Sequence, residues 1–226
     1  MITVHHLENS RSQRILWLLE ELGADYELKS YKRDPQTSLA PKALEAVHPL
    51  GKSPVITDGN VTVAESAAIV EYLVDKFDNG RLRPAAGTPA YLDYRYWLHY
   101  SEGTLASLMV LALFVGRIET AKMPFFARPI ARKIAAMIRS GYLDHTMERN
   151  LSFVNMSLGK SSWFCGESMT AADIQMSFPL EAAEVRAGLA EYPNIAAWLK
   201  RMRALDSYKA ALEKGGPYAL MGGKDK

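Results

Sequence analysis

Residues 48–73 constrain the fold more than any other stretch, because their apolar spacing changes from that of strands to that of a helix. β-Branched residues stand on both sides of a turn at Asp58-Gly59-Asn60, which predicts a β-hairpin. After Glu65 the apolar residues recur at helical intervals, so a helix is expected to begin at Ser66. The stretch therefore predicts strand, turn, strand and helix, with a sharp corner at Glu65-Ser66.

The Glu65-Ser66 corner has the composition of a small binding site. Free amides at the start of a helix attract an anion. A carboxylate and a hydroxyl stand beside them in the sequence. We therefore expect this corner to hold a small zwitterion, with its carboxylate on the amides and its ammonium on Glu65. The alternative is purely structural, in which Ser66 caps the helix and Glu65 complements its dipole.

The rest of the chain divides into a mixed half and a helical half. Strands at 2–6 and 26–31, a helix from Ser12 to Gly23 and a short helix at 41–47 precede the hairpin. This order predicts a small α/β domain over residues 1–79, with a mixed sheet and helices on both faces. Residues 80–89 are rich in Gly, Pro and small side chains, which predicts a linker. Helical spacing dominates from residue 90 onward, so residues 90–226 are predicted to form an all-α domain.

Composition excludes several classes of protein. The 226 residues are 48% hydrophobic and 23% charged, which excludes an intrinsically disordered chain. A net charge of +2 gives no reason to expect a nucleic acid or membrane partner. The longest apolar run, 105–115, is shorter than the ~20 residues of a membrane span. Cys165 is the single cysteine, so no internal disulfide forms; with no signal-peptide pattern, we expect a cytoplasmic protein.

The helical half contains one sharp local signal, at residues 169–174. Thr170 is placed as an N-cap and Asp173 as the third helical residue, which predicts a capping box. Met169 and Ile174 flank the pair as a hydrophobic staple. We interpret this motif as a folding element, not as part of an active site.

The order of elements, the Ser53-Pro54 pair before a hairpin, the Glu65-Ser66 corner and the Thr170–Asp173 cap together resemble a cytosolic glutathione transferase. The resemblance covers residues 2 to about 214 and is greatest to bacterial and yeast-type members. It implies a thioredoxin-like domain with the order β-α-β-α-β-β-α, followed by a helical domain. It also implies a homodimer that uses glutathione as co-substrate and needs no metal.

The resemblance assigns five residues to glutathione. Lys52 is expected to pair with its glycyl carboxylate, although a surface lysine can also be merely solvated. Ser53 is expected to bind the cysteinyl part through its backbone, next to a cis Pro54. Glu65 and Ser66 are expected to bind the γ-glutamyl end, as their electrostatics also suggests.

The residue that activates the thiol is expected near the end of the first strand, where the family has Tyr, Ser or Cys. Residues 5–14 contain neither Tyr nor Cys. Ser10 stands four residues before Arg14, the spacing of serine-type members, and is therefore the predicted catalytic residue. Asn9 and Ser12 remain alternatives, and a serine here can also simply cap the first helix. Lowering a thiol pKa by about two units requires ~2.7 kcal/mol of stabilisation.

Two further sets of residues have both a functional and a structural interpretation. Four residues on neighbouring turns of the first long helix are expected to face the glutathione sulfur and line a second-substrate pocket: Tyr94, Trp97, Ser101 and Leu105. Aromatic residues at this spacing are also often part of the core. His5 and His6 are adjacent in a strand and point to opposite faces, which disfavours a metal site.

The sequence therefore predicts a glutathione transferase whose bound thiolate attacks a small hydrophobic electrophile. Glutathione-dependent peroxide or disulfide reduction is a second possible activity of the same site. Cys165 is interpreted as a packing residue, which disfavours a route through an enzyme cysteine. The alternative to an enzyme is a non-catalytic interaction module or a hydrophobe-binding protein.

Overall fold

The computed structural model describes residues 1–216 and 218–220, and its N-terminal part is built on a four-stranded sheet. The strands are β1 (Ile2–Leu7), β2 (Tyr26–Tyr31), β3 (Val55–Asp58) and β4 (Val61–Ala64). Their order across the sheet is β2-β1-β3-β4, with β2 parallel to β1 and the other two pairs antiparallel. Two helices, α1 (Ser12–Leu22) and α2 (Ser66–Phe77), and a short 3-10 helix at Lys42–Leu44 complete the predicted thioredoxin-like order. The predicted fold class is confirmed.

The local sequence explains where these elements end. Gly23 follows α1 with φ of 63°, a left-handed conformation that costs glycine little, and its N–H caps the helix carbonyls. Gly59 has φ of 57° in the two-residue turn between β3 and β4. Both turns therefore form where the sequence predicts them.

The C-terminal part is helical. Its helices are α3 (Pro89–Tyr100), α4 (Ser107–Thr120), α5 (Arg128–Ile138), α6 (Asp144–Leu158), α7 (Ala171–Arg186), α8 (Pro193–Ala204) and α9 (Asp206–Gly215). Two π-helical turns, Ser101–Ala106 and Arg139–Leu143, join α3 to α4 and α5 to α6. Apolar spacing predicted the long helices but not these widened turns. Residues 217 and 221–226 of the predicted helical domain lie outside the described residues.

The capping box at the start of α7 is present. Asp173 is fully buried, and its carboxylate accepts hydrogen bonds from the Thr170 N–H, the Phe164 N–H and the Trp198 indole. Burial raises the pKa of Asp173 to about 6, because the low-dielectric surroundings outweigh the donors that favour its charge. The motif therefore ties the loop before α7 and helix α8 to one carboxylate.

Helix α9 returns to the N-terminal part and packs on α1. The Trp17 indole donates to Ser207, and the Gln13 amide donates to the Ala211 carbonyl at 2.8 Å. One continuous core runs through both halves and includes Leu82, which lies in the predicted linker and is fully buried. The two halves are therefore packed against each other through α1, α9 and Leu82.

The helix Pro89–Thr120 is continuous over 32 residues. Among the described residues it is the one helix whose length and apolar character would allow it to cross a membrane. Long core helices of other proteins meet the same criterion, so this finding assigns no membrane span.

Candidate active site

A polar cleft of about 250 Å³ lies where β3, β4 and the start of α2 meet. All five residues that the sequence assigns to glutathione line it: Lys52, Ser53, Pro54, Glu65 and Ser66. His48, Arg11 and Glu102 line the same cleft. Residues that are distant in sequence are therefore brought together at one site.

The corner before α2 holds an unusual backbone conformation. Glu65 has φ of 73°, a region that side chains other than glycine seldom occupy. Among residues 1–216 and 218–220 no side chain caps α2, and the first N–H groups of a helix have no partner within it. The Glu65 side chain is exposed, whereas Ser66 is buried. The corner thus presents a carboxylate beside open amides, as an anion and a cation on one ligand would require.

Ser53 is fixed by its side chain, which leaves its backbone available. Its hydroxyl donates to the His5 carbonyl at 2.9 Å and accepts from the Leu7 N–H at 3.3 Å. The Ser53-Pro54 peptide bond is cis. Within the described part of the chain, neither the N–H nor the carbonyl of Ser53 makes a hydrogen bond. Both groups can therefore pair with an extended ligand backbone.

A chain of hydrogen bonds runs under the turn between β1 and α1. The Gly215 carbonyl lies 3.0 Å from His6 Nε2, so this nitrogen carries the hydrogen. Burial lowers the pKa of His6, so its ring is neutral and Nδ1 accepts from the Ser12 hydroxyl at 2.8 Å. The Ser10 hydroxyl lies 2.8 Å from Ser12 Oγ and accepts the Ser12 N–H.

These contacts distinguish the three candidates for the thiol-activating residue. Ser12 is fully buried, and its hydroxyl is committed to His6. Ser10 and Asn9 line a second cavity, of about 120 Å³, whereas Ser12 does not. The side-chain oxygen of Asn9 accepts the Ala219 N–H at 2.7 Å, which ties it to the C-terminal segment.

A buried cluster of charged side chains lies next to the turn between β1 and α1. Arg14, which is 2% exposed, pairs with Glu102 and donates to the Gln175 carbonyl at 2.5 Å. Arg11 also pairs with Glu102, at 3.0 Å, and its guanidinium lies over the Phe178 ring. Burial alone would raise the pKa of Glu102, but the two arginines outweigh burial and lower it.

The second cavity differs in character from the polar cleft. Ser53 and Arg11 line both cavities, so the two adjoin. Its apolar wall consists of Ala106, Met109, Val110, Leu113, Phe178 and Leu220. Arg33 and Arg186 complete the lining.

The structure does not bring the expected second-substrate residues to this cavity. Tyr94, Trp97, Ser101 and Leu105 are all buried in the core, with at most 4% exposure. The Ser101 hydroxyl donates to the Gln175 carbonyl at 2.6 Å. The cavity is instead lined from one turn further along the same helix, beyond the π-helical turn. No sequence signal marks Met109, Val110 or Leu113, because they are ordinary apolar residues of a long helix.

The remaining candidates lie elsewhere. Burial raises the pKa of Cys165 to about 12, so its thiol is protonated at neutral pH. His5 contacts the Tyr31 hydroxyl at 2.9 Å. In the described part of the chain, no group of three or more His, Cys, Asp or Glu side chains is placed to hold a metal ion. A roomier cavity of about 510 Å³ beside α6 and the end of α7 contains none of the predicted site residues.

Comparison with known proteins agrees with this geometry. Residues 1–75 match the family model for the glutathione S-transferase N-terminal domain, and residues 139–206 match that for the C-terminal domain. Glutathione S-transferase 3 of Schizosaccharomyces pombe is 40% identical, over 95% of this chain and 88% of its own length. Glutathione S-transferase 1 of Saccharomyces cerevisiae is 34% identical, over 95% of each chain.

A solved structure extends the similarity to three dimensions. A glutathione S-transferase from Actinobacillus pleuropneumoniae superposes with a TM-score of 0.79. It is 37% identical in sequence, and the match covers all of this chain and 97% of that one. The similarity therefore spans both the sheet and the helical part.

Proposed function

The chain belongs to the glutathione S-transferase family, and we propose that Ser10 supplies the hydroxyl that stabilises the thiolate of glutathione in this enzyme. The protein is a glutathione S-transferase, and glutathione is its substrate. The identity of the activating group and the class of electrophile are our proposals. They rest on one observation in particular: Ser53 and Arg11 line both the polar cleft and the cavity that contains Ser10.

The proposed binding mode follows the charges of the polar cleft. The γ-glutamyl carboxylate lies on the first amides of α2, and its ammonium lies against Glu65. The cysteinyl residue pairs with the free backbone groups of Ser53. Lys52, which is exposed at the other end of the cleft, binds the glycyl carboxylate. This orientation directs the sulfur from Ser53 toward Ser10.

The proposed chemistry is stabilisation of a thiolate. Because the Ser12 hydroxyl donates to His6, the Ser10 hydroxyl donates to Ser12 Oγ in the free protein, and its hydrogen turns from Ser12 to the sulfur when glutathione binds. The Ser12 N–H still donates to Ser10 Oγ and holds it in place. A hydrogen bond to a charged acceptor is stronger than one to a neutral acceptor, so it favours the ionised thiol. The thiolate then attacks the electrophile, forming a carbon–sulfur bond as the leaving group departs with the bonding electrons. No covalent bond to the enzyme forms.

The second cavity supports the proposed class of electrophile. Its wall is apolar on α4 and α7, and its volume of about 120 Å³ suits a small molecule. Arg11 and Arg186 at its edge favour a leaving group or substituent that gains negative charge during attack. We therefore propose a small hydrophobic electrophile. Reduction of a peroxide by the bound thiolate would use the same site, and the raised pKa of Cys165 disfavours a route through that residue.

The organisation of the enzyme is also proposed. We propose a glutathione-binding domain over residues 1–79, a linker over 80–89 and a helical domain over 90–226, as the two family-model matches suggest. A cytoplasmic homodimer is the arrangement typical of the family.

Steady-state kinetics of matched serine variants tests the role of Ser10. With glutathione and chlorodinitrobenzene as substrates, Ser10→Ala is expected to lower kcat/KM about a hundredfold, the cost of one missing donor to a developing charge. Glutathione affinity, measured by calorimetry, should stay unchanged, and Ser30→Ala on the exposed side of β2 is the control. Full activity in Ser10→Ala, with a loss in Asn9→Ala or Ser12→Ala instead, would contradict the proposal.

A further inference from the structure

The turn between α4 and α5 exposes an unusual amount of apolar surface. We refer to residues 121–138 as the hairpin tip. Five large apolar side chains there are between 46% and 81% exposed: Phe125, Phe126, Ile130, Ile134 and Met137. The two phenylalanines pack edge to face, with ring centroids 5.7 Å apart, at the end of the hairpin. Singly exposed apolar residues are common, whereas a contiguous set of this kind marks a contact surface.

Helical spacing separates this set from the core. Ile130, Ile134 and Met137 recur at intervals of four and three residues, so they share one face of α5. Phe126 lies four residues before Ile130, in the turn that precedes the helix. The neighbouring face carries Ala131, Ala135 and Ile138, which are partly or fully buried. The core is therefore packed by this neighbouring face, and the exposed apolar side chains, which we call the apolar stripe, make no contribution to it.

The hairpin tip is also strongly cationic. From residue 120 to residue 143 the sequence contains five lysines and arginines and no aspartate or glutamate. Arg139 is neutralised by Glu119, with contacts of 2.7 and 2.9 Å. The other four make no ion pair with any described residue: Lys122, Arg128, Arg132 and Lys133. This local charge exceeds the net charge of +2 on the whole chain, so the average composition conceals it.

We propose that the hairpin tip docks on a lipid bilayer that contains anionic phospholipids. Phe125 and Phe126 would enter the boundary between headgroups and acyl chains, with the apolar stripe of α5 lying along the surface. Lys133, about 60° around the helix from the stripe, would reach the lipid phosphates. The other three unpaired cations would add to the attraction of the tip to an anionic surface. An amphipathic helix with an aromatic apolar side and a lysine- and arginine-rich polar side is the arrangement that favours such a position.

The same features disfavour other partners. A cavity of about 330 Å³ lies between the end of α4 and the start of α5, and neither phenylalanine lines it. A peptide bound in that cavity would therefore leave both phenylalanine rings exposed. A nucleic acid would use the cations but would leave the exposed apolar stripe in water. A bilayer with anionic headgroups and an apolar interior complements both the cations and the exposed apolar side chains of the hairpin tip.

Sedimentation with vesicles tests the proposal. The full-length protein is mixed with vesicles of phosphatidylcholine and phosphatidylserine, and separately with vesicles of pure phosphatidylcholine. Binding is expected to the anionic vesicles only and to weaken at high salt. Phe125→Ser/Phe126→Ser should lower vesicle affinity at least about tenfold. Arg128→Gln/Arg132→Gln should lower it roughly twenty-fivefold, at about fivefold per cation.

Matched variants elsewhere provide the controls. Met156→Ser removes an exposed apolar side chain from α6, and Lys160→Gln/Lys200→Gln removes two exposed cations. Both should bind vesicles as the wild type does. Conjugation of glutathione to chlorodinitrobenzene in solution reports that each variant is folded, because no residue of the tip lies in the two cavities of the active site.

Three results would overturn the proposal. The first is no sedimentation of the wild type with anionic vesicles, and the second is equal sedimentation with neutral ones. The third is a change from dimer to monomer in Phe125→Ser/Phe126→Ser, measured by analytical ultracentrifugation without lipid, together with no vesicle binding by the wild type. That outcome would assign the tip to contact with a second copy of the chain.

Discussion

The two sides of the proposed active site are built in different ways. The polar cleft is formed by backbone groups and short side chains held in fixed conformations, such as Glu65 at φ of 73° and Ser53 bonded to β1. Half of the residues that line the second cavity are apolar, and four of these lie on α4 and α7: Met109, Val110, Leu113 and Phe178. We therefore expect the polar cleft to recognise a single ligand through fixed geometry. We expect the second cavity to accept ligands by size and hydrophobicity.

This difference predicts that the polar side depends on its buried support. Arg14→Met should leave Glu102 with only one of its two arginine partners and the Gln175 carbonyl with the Ser101 hydroxyl as its remaining donor. Removing one member of a buried ion pair costs about 3 kcal/mol of unfolding free energy or more. Urea denaturation measures this loss, and Arg132→Met on the exposed face of α5 is the control. A loss equal to that of the control would show that the cluster gives no support.

Glutathione affinity should depend on single charges of the polar cleft. Glu65→Gln keeps the size of the side chain but removes the charge expected to meet the ammonium of the γ-glutamyl group. The dissociation constant for glutathione is expected to rise roughly tenfold, the lower range for a hydrogen bond to a charged group. Calorimetric titration measures it, with Glu191→Gln as the control at an exposed site. Unchanged affinity in Glu65→Gln would remove this residue from the binding site.

The apolar side should respond more weakly and only toward the electrophile. Leu113→Ala removes three carbons from a partly exposed wall of the second cavity. We expect KM for chlorodinitrobenzene to rise about fivefold, from loss of ~1 kcal/mol of apolar contact. Glutathione affinity should not change. Leu92→Ala, at an exposed position on α3, should have no effect on either value. A loss of glutathione affinity in Leu113→Ala would mean that the two sides are not independent.

The smallest expected effect is a dependence of stability on pH. Burial lowers the pKa of His6, and burial together with Lys29 lowers that of His5, both from the usual 6.5. The unfolded chain therefore takes up protons below pH 6.5 before the folded chain does, so stability is present above this pH and is lost as the pH falls. His6→Gln should reduce this acid sensitivity in denaturation series at several pH values. His99→Gln, which is exposed, should leave it unchanged.

The same contrast explains what the sequence could predict. The residues of the polar cleft belong to short sequence motifs that predict their local structure. A Glu65-Ser66 corner and a Ser-Pro pair before a hairpin are each compatible with few conformations. All five of them line one cleft. Glu102 is part of the site through Arg11 and Arg14, and only a tertiary contact between α1 and the first π-helical turn reveals it.

The apolar side carries no comparable signal. Tyr94 and Trp97 have the spacing of a pocket wall and of a core face alike, and the structure places them in the core. The π-helical turn at Ser101–Ala106 shifts which residues of the long helix face the cavity, and apolar periodicity does not record such a shift. The packing of α9 on α1, which fixes His6 through Gly215, also depends on a contact between the two ends of the chain.

The most direct test of the proposed mechanism is the pKa of the glutathione thiol bound to the purified protein, measured by the absorbance of the thiolate. In the wild type it is expected about two units below the free value near 8.5. In Ser10→Ala it should return toward the free value while glutathione still binds. A lowered pKa that persists unchanged in Ser10→Ala would contradict the role of Ser10 and would assign the donor to Asn9 or Ser12.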